Sequence, residues 1–325
     1  MLRLRPASER IIERLPGTRW VWIVLWALVP WVNALVNLSL EEDSRSAVWD
    51  EGATLIVLSY AALSLAMVVT LYGARQLAQR MELLSQGSRQ ILEGPASVLR
   101  STHEVAGPLA GALLMGIAFG GTTLVEDHDW WPTLIRASTW LLLGIAIWSF
   151  LWTYGLLLLA LDRLGRAHLR TDAVNVAPDL GLRPFGDIAF LGLWLMLAWL
   201  VPVVWTGLPD VVGFVIGMIA LIAVLAVFFL SLTRLHRRMV EVKNDELRIA
   251  RDLYAQAYEP LRHEPSVEVL EQQRNLLGAA DGLEKRAQAI QEWPIDDGTL
   301  GRVITIATSV VAVTIARLLL DPFGL

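Results

Sequence analysis

Residues 211–233 read VVGFVIGMIALIAVLAVFFLSLT, and the chain runs on without a break into RLHRRMVEVKNDELRIARDLYAQAY at 234–258. The first part carries no charged side chain, and its length matches the roughly 20 residues that a helix needs to cross about 30 Å of hydrocarbon. The second part keeps a helical period: Leu235, Met239, Val242, Ile249 and Leu253 recur among Arg237, Glu241, Asp245 and Arg251. Apolar residues three and four apart share one helix face. One helix therefore starts in a membrane and ends in water, which sets the fold class as an all-α membrane protein.

Five more runs read as spans, at 20–40, 53–73, 105–125, 134–160 and 188–208. Arg136, near the outer end of the fourth, can snorkel its guanidinium to the headgroups. Val303 to Leu320 is a seventh candidate of 18 residues, with Arg317 reaching the far interface. The expectation is thus six or seven transmembrane helices with helical cytoplasmic extensions. The first run exceeds the 7–15 apolar residues of a cleaved signal and reads as a retained anchor.

Composition agrees. Of 325 residues 55% are apolar and 18% charged, 14 are tryptophan and none is cysteine. A typical soluble domain has about 25% charged residues. The net charge of −5 gives nucleic acid no electrostatic footing, and disulfides, thiolate metal sites and cysteine nucleophiles are excluded.

The basic residues give orientation. With a cytoplasmic N-terminus, 24 of the 27 arginines and lysines lie inside, leaving only Arg45, Arg136 and Arg317 outside. The outer loops are acidic, with Glu41-Glu42-Asp43, Asp50-Glu51, Glu126-Asp127-His128-Asp129 and Asp210. This is the positive-inside pattern. Trp20, Trp31, Trp49, Trp130, Trp131 and Trp205 fall at or near the expected interfaces, as an aromatic belt requires.

Four regions follow: a cytoplasmic N-terminus at 1–19; a six-helix bundle at 20–233 with a helical cytoplasmic loop at 74–104; a cytoplasmic helical hairpin at 234–293; and a C-terminal membrane segment at 294–325. Pro260 and Pro265 bracket the hairpin turn. Its second arm starts after Ser266 and carries Leu276, Ala280, Leu283, Ala287 and Ile290. Such stripes either pack on each other or pair subunits as a coiled coil.

Chemistry-bearing residues are sparse. Gly107, Gly111, Gly116 and Gly120 in the third span, and Gly213 and Gly217 in the sixth, give smooth faces for close helix packing. Pro108 suits the first helical turn. Asn33 and Asn37 share one face of the first span, below Pro30. They either hydrogen-bond between helices or line a hydrated path. The five histidines, His103, His128, His168, His236 and His263, are scattered, and zinc needs three or four convergent ligands; His128 between two aspartates is read as part of a solvated acidic loop. Within the loop at 171–187, Arg183 either closes a rigid turn or faces a pore mouth or an anionic headgroup. Asp187 is placed to cap the fifth span. No cofactor, metal or catalytic constellation is expected, so the chain does not read as an enzyme.

Two stretches carry a resemblance. The run Ala177-Pro178-Asp179 with Gly181-Leu182-Arg183-Pro184-Phe185-Gly186, together with Gln291-Glu292-Trp293-Pro294-Ile295-Asp296 and Thr299-Leu300-x-Arg302, resembles a group of multi-pass bacterial inner-membrane proteins. Those proteins have a Pro-Asp…Gly-Leu loop before one span and Glu-Trp-Pro-Phe-Asp…Thr-Leu-x-Arg before the last. Ile295 and the lack of a proline and glycine break in the last span are departures. The resemblance implies a bacterial inner membrane and a genuine C-terminal span, and it brings no catalytic residues. Read alone, Trp293 is an interfacial anchor.

The functional expectation is a homo-oligomeric, channel-like assembly in the lipid bilayer. The alternative is a scaffold or signalling anchor whose hairpin docks a soluble cytoplasmic partner, and a small carrier is a third reading. No intramembrane acid or pair of broken helices supports a carrier.

Overall fold

The computed structural model describes residues 5–40, 52–87, 104–120, 130–166, 182–207, 211–259 and 267–294, and seven positions of the C-terminal segment, 298, 301, 302, 305, 308, 309 and 312. Among these residues there are eight helices and no strand. They are α1 (Ala7–Arg14), α2 (Arg19–Leu40), α3 (Gly52–Gly87), α4 (Ala106–Gly120), α5 (Trp130–Arg166), α6 (Arg183–Gly207), α7 (Val211–Tyr258) and α8 (Val267–Ala289).

Apart from Val105, each of the six expected runs is helical where it is described. By length and composition, four helical stretches can cross a membrane: Val57–Leu83, Thr133–Arg166, Arg183–Val203 and Gly217–Tyr258. A fifth arises if α1 and α2, bent by 112°, count as one span. Among the described residues the number is therefore four to five, and the expected six or seven is not confirmed. The difference has two sources. As described, α4 has 15 residues, about 22 Å of helix against about 30 Å of hydrocarbon. The C-terminal run lies mostly outside the described residues, as do the acidic loop residues 41–51 and 121–129.

The chain divides into two compact units, Met1–Ala160 with Ile188–Phe229, and Leu161–Asp187 with Leu230–Leu325. In the first, α1 turns into α2 through Leu15-Pro16-Gly17-Thr18. Gly17 sits at φ +100°, a conformation that favours glycine, and proline before it suits a tight turn. The Trp22 indole N–H donates to the Pro16 carbonyl at 2.8 Å. This segment, expected only as an N-terminal flank, holds a short helix.

α2 packs on α3, with the Trp31 and Tyr60 rings 6.3 Å apart. On α3, Ala66, Met67, Thr70, Leu71, Ala74, Leu77, Ala78 and Met81 are all buried, a stripe at three- and four-residue spacing along both its apolar and its polar half. Phe150 and Leu195 close on this stripe at Gly73, where a Cβ would meet them at 3.0 and 3.1 Å.

The second unit holds the hairpin. Leu232, Leu235, Met239, Val242, Ala250 and Ala257 of α7 are buried, as are Ala280, Ala287 and Ile290. Covering a leucine or methionine of this size is worth about 1.5–3 kcal/mol. Ile249, expected on the stripe, is 47% exposed, and Ala250 takes its place.

Candidate functional site

The polar side chains of the second unit converge where the hairpin is rooted. At the end of α5, Asp162 accepts from Arg166 one turn on at 2.8 Å and from Arg234 of α7 at 2.7 Å. Gly165 makes this approach possible: a Cβ there would lie 2.8 Å from the Leu235 backbone nitrogen and 3.0 Å from the Arg234 carbonyl carbon. Farther along α7, His236 stacks on Trp293, with ring centroids 4.1 Å apart and an interplanar angle of 16°. The His236 Nδ1 lies 2.7 Å from the Glu292 carbonyl oxygen. A carbonyl only accepts, so Nδ1 carries the proton. Lys243 Nζ bonds the Glu292 carboxylate at 2.9 Å.

Trp293 therefore clasps the segment after α8 to α7. The segment after α8 brings its backbone and its ring back to one α7 face within two helical turns. Spacing alone misses this contact, because His236 and Trp293 are far apart in the sequence and neither lies on an apolar stripe.

Lys243 holds the Glu292 carboxyl below its ordinary range, through the hydrogen bond first and its charge second. A carboxylate with a lowered folded pKa stabilises above its unfolded value and loses that contribution as pH falls through the folded one. Both groups are partly exposed, so the effect is small. Unfolding midpoints of the wild type are expected to fall between about pH 5 and 3 more than those of Lys243→Met, as followed by circular dichroism.

In the first unit, the charged groups gather at α1. Glu9 lies 3.4 Å from Arg75 and 3.9 Å from Arg19. Burial raises its pKa, and Arg75 opposes that shift. Ser8 is buried, and its backbone N–H donates to Ser149 Oγ at 3.0 Å. Buried hydroxyls elsewhere turn inward: Thr70 bonds the Ala66 carbonyl and Thr153 that of Ser149. Such i−4 bonds satisfy a threonine within its own helix and need no ligand.

The expected site residues fall in several places. The glycines of α4 meet α5: a Cβ on Gly107 would stand 2.8 Å from the Trp152 ring, and one on Gly111 2.3 Å from that of Trp148. Gly116 makes only ordinary contact with Leu141 at 3.7 Å, and the surroundings of Gly120 and Gly213 lie outside the described residues. Asn33 is buried, and among the described residues its amide oxygen has no hydrogen-bond partner. The Asn37 side chain, His103, His128, His168 and His263 lie outside the described residues.

Arg183 and Asp187, expected in a loop with Asp187 as the cap, are instead helical. α6 begins at Arg183, and the Leu182 carbonyl accepts from the N–H groups of Phe185 and Gly186. Pro184 permits this early start, since a first-turn residue needs no N–H donor. Among the described residues no three histidine, aspartate or glutamate side chains come together as a metal site.

Comparison of the chain with protein-family models, with curated proteins and with solved structures finds no match in any of the three.

Proposed function

We propose that this chain is a bacterial inner-membrane protein, with its N-terminus in the cytoplasm, that assembles with copies of itself into a channel-like pore. The observation that carries the reading is the C-terminal segment. Its described residues Gly298, Gly301, Arg302, Thr305, Thr308, Ser309 and Ala312 are helical, and every one is exposed. Spacings of three and four put them on one face. The Thr305 and Ser309 hydroxyls bond the carbonyls four residues back, at 2.9 and 2.8 Å.

Small residues let helix backbones approach closely within a bilayer. A face of small and hydroxyl residues with Arg302 near its start, turned to a symmetry axis, makes a path that water can wet. Two other candidates for lining such an axis are less suited to it. Asn33 is buried within its own chain, and the exposed face of α4 is apolar, with Leu113, Leu114 and Ile117. The apolar part of α7, of which only 22% is buried, supplies an area that lipid or a neighbouring subunit covers. Seven spans, with the last running through this face, complete the reading.

The absence of cysteine makes the test direct. Thr305→Cys and Ser309→Cys channels in liposomes are expected to lose most of their conductance on reaction with a charged thiol reagent. Ile222→Cys, on the exposed apolar face of α7, should lose none. A protein silent under voltage and membrane tension ends the proposal. That result would favour the scaffold reading, supported by the exposed Ile249, Tyr258, Val267 and Leu270 of the hairpin arms, an apolar set suited to a soluble partner.

A further inference from the structure

We infer that the pore passes anions in preference to cations, and that a ring of Arg302 side chains, one from each copy, sets that preference. The inference rests on the pore reading and names the class of ion that such a pore carries. Arg302 is helical and exposed. It stands three residues before Thr305 and seven before Ser309, on the same helix face. In sequence the large apolar residues Val303, Ile304, Ile306, Val310 and Val311 take other positions of the period. An arginine among those residues would meet lipid and reach for the headgroups. One in line with hydroxyls and glycine shares the side of the helix that suits water.

Its charge is not answered nearby. Glu292, the described acid nearest to it in the sequence, is bonded by Lys243 at 2.9 Å, and Arg302 forms no ion pair among the described residues. From Gly298 to Leu320 the only charged residues are Arg302 and Arg317, both basic. The hydroxyls of the face do not take over this role. Thr305 and Ser309 give their protons to carbonyls four residues back, so the oxygen lone pairs that remain accept from water and hold no anion. Fixed positive charge is therefore the selecting feature of the face, and rings of arginine suit anion pores. A positive charge about 7 Å from the axis, in water, enriches a univalent anion about threefold and depletes a cation as much.

The experiment measures reversal potentials of the full-length protein in planar bilayers, across a potassium chloride gradient. Its dilute side is held at about 0.01 M, where the Debye length is about 30 Å. Chloride is expected to permeate about tenfold better than potassium, or more, and the ratio should fall as salt is raised. Arg302→Gln should bring the ratio close to one, and Arg302→Lys should keep it. Arg302→Cys lets the charge be replaced after assembly, since the chain has no other cysteine. A thiol reagent that carries an ammonium group should restore the chloride preference, and one that carries a sulfonate should turn it to potassium. Both states are read on one assembled protein, so the comparison survives if the glutamine variant fails to fold.

A wild type that prefers potassium, a glutamine variant with the wild-type ratio, or cysteine channels with one ratio after either reagent overturns the inference and leaves the pore standing. A potassium preference would assign the selecting charge to acids such as Asp296 and Asp297, which precede this helix in the sequence. A protein without conductance overturns the pore reading and the inference with it, so the two failures are told apart by whether current flows.

Discussion

Gly192→Val is expected to destabilise the folded chain by about 3 kcal/mol or more, read as a lower midpoint of thermal unfolding in detergent. A Cβ at Gly192 would stand 2.2 and 2.3 Å from Cε2 and Cδ2 of Tyr154, well inside van der Waals contact. The ring cannot step aside. Tyr154 is 4% exposed, its ring stacks on Phe150 at 6.0 Å between centroids, and its hydroxyl donates to the Ala189 carbonyl at 3.2 Å. Moving it strands a buried hydroxyl, which costs about 1–3 kcal/mol by itself. Gly192→Ala carries the same clash with fewer atoms and should lose about 2 kcal/mol. Tyr154→Ala in the Gly192→Val background should return part of the loss, since the two residues share one contact and their effects do not add. An unfolding midpoint equal to that of the wild type would mean that Tyr154 does not occupy this place.

What the sequence disclosed about such contacts depended on the signal each element left. Six apolar runs became helices because burial in hydrocarbon and helical hydrogen bonding act on every residue of a run. The amphipathic continuation of α7 was legible for the same reason, as a period of three and four. The glycine pairs at 107 and 111 were legible through their spacing, and both meet tryptophan rings of α5. Gly116, with the same spacing, meets only ordinary contact. Gly73, Gly144, Gly165 and Gly192 all sit at close approaches, yet none has a second glycine four residues away. A close approach is a property of two helices, and one helix's spacing records only half of it.

The polar sites were harder to read for a related reason. Arg183 and Asp187 stand in a stretch whose prolines and glycines signal a turn, but proline in a first helical turn signals a helix start equally well. The choice rests on where the carbonyl of Leu182 finds its donors. Helix α1 was hidden in a charged flank. Its apolar residues, Ala7, Ile11 and Ile12, are too few for a periodic signal. The clasp of Trp293 on His236 joins two segments that the hairpin brings together, and no local pattern encodes it.

Gly165→Val should have the second large effect, and it should be confined to the hairpin unit. Here the neighbours of an added Cβ are backbone atoms, the Leu235 nitrogen at 2.8 Å and the Arg234 carbonyl carbon at 3.0 Å. Backbone inside two helices has no rotamer to change, so α5 and α7 must separate. Separation lengthens the Asp162–Arg234 pair from 2.7 Å and uncovers Leu235, which is fully buried. The overpacking costs about 3 kcal/mol. The ion pair, half exposed on the arginine side, adds less than about 1 kcal/mol. Hydrogen exchange should accelerate in 234–258 and 267–289 while the buried stripe of α3 keeps its protection. Gly155→Val is the matched control: it lies on the same helix, is exposed, and has nothing within 4 Å of its Cβ. It should stay within about 0.5 kcal/mol of the wild type. Equal losses at 155 and 165 would show that the backbone approach at Gly165 does not set the cost. A loss at 165 alone identifies the backbone approach beside Asp162 as what ties α7 to the end of α5, and with it the root of the hairpin.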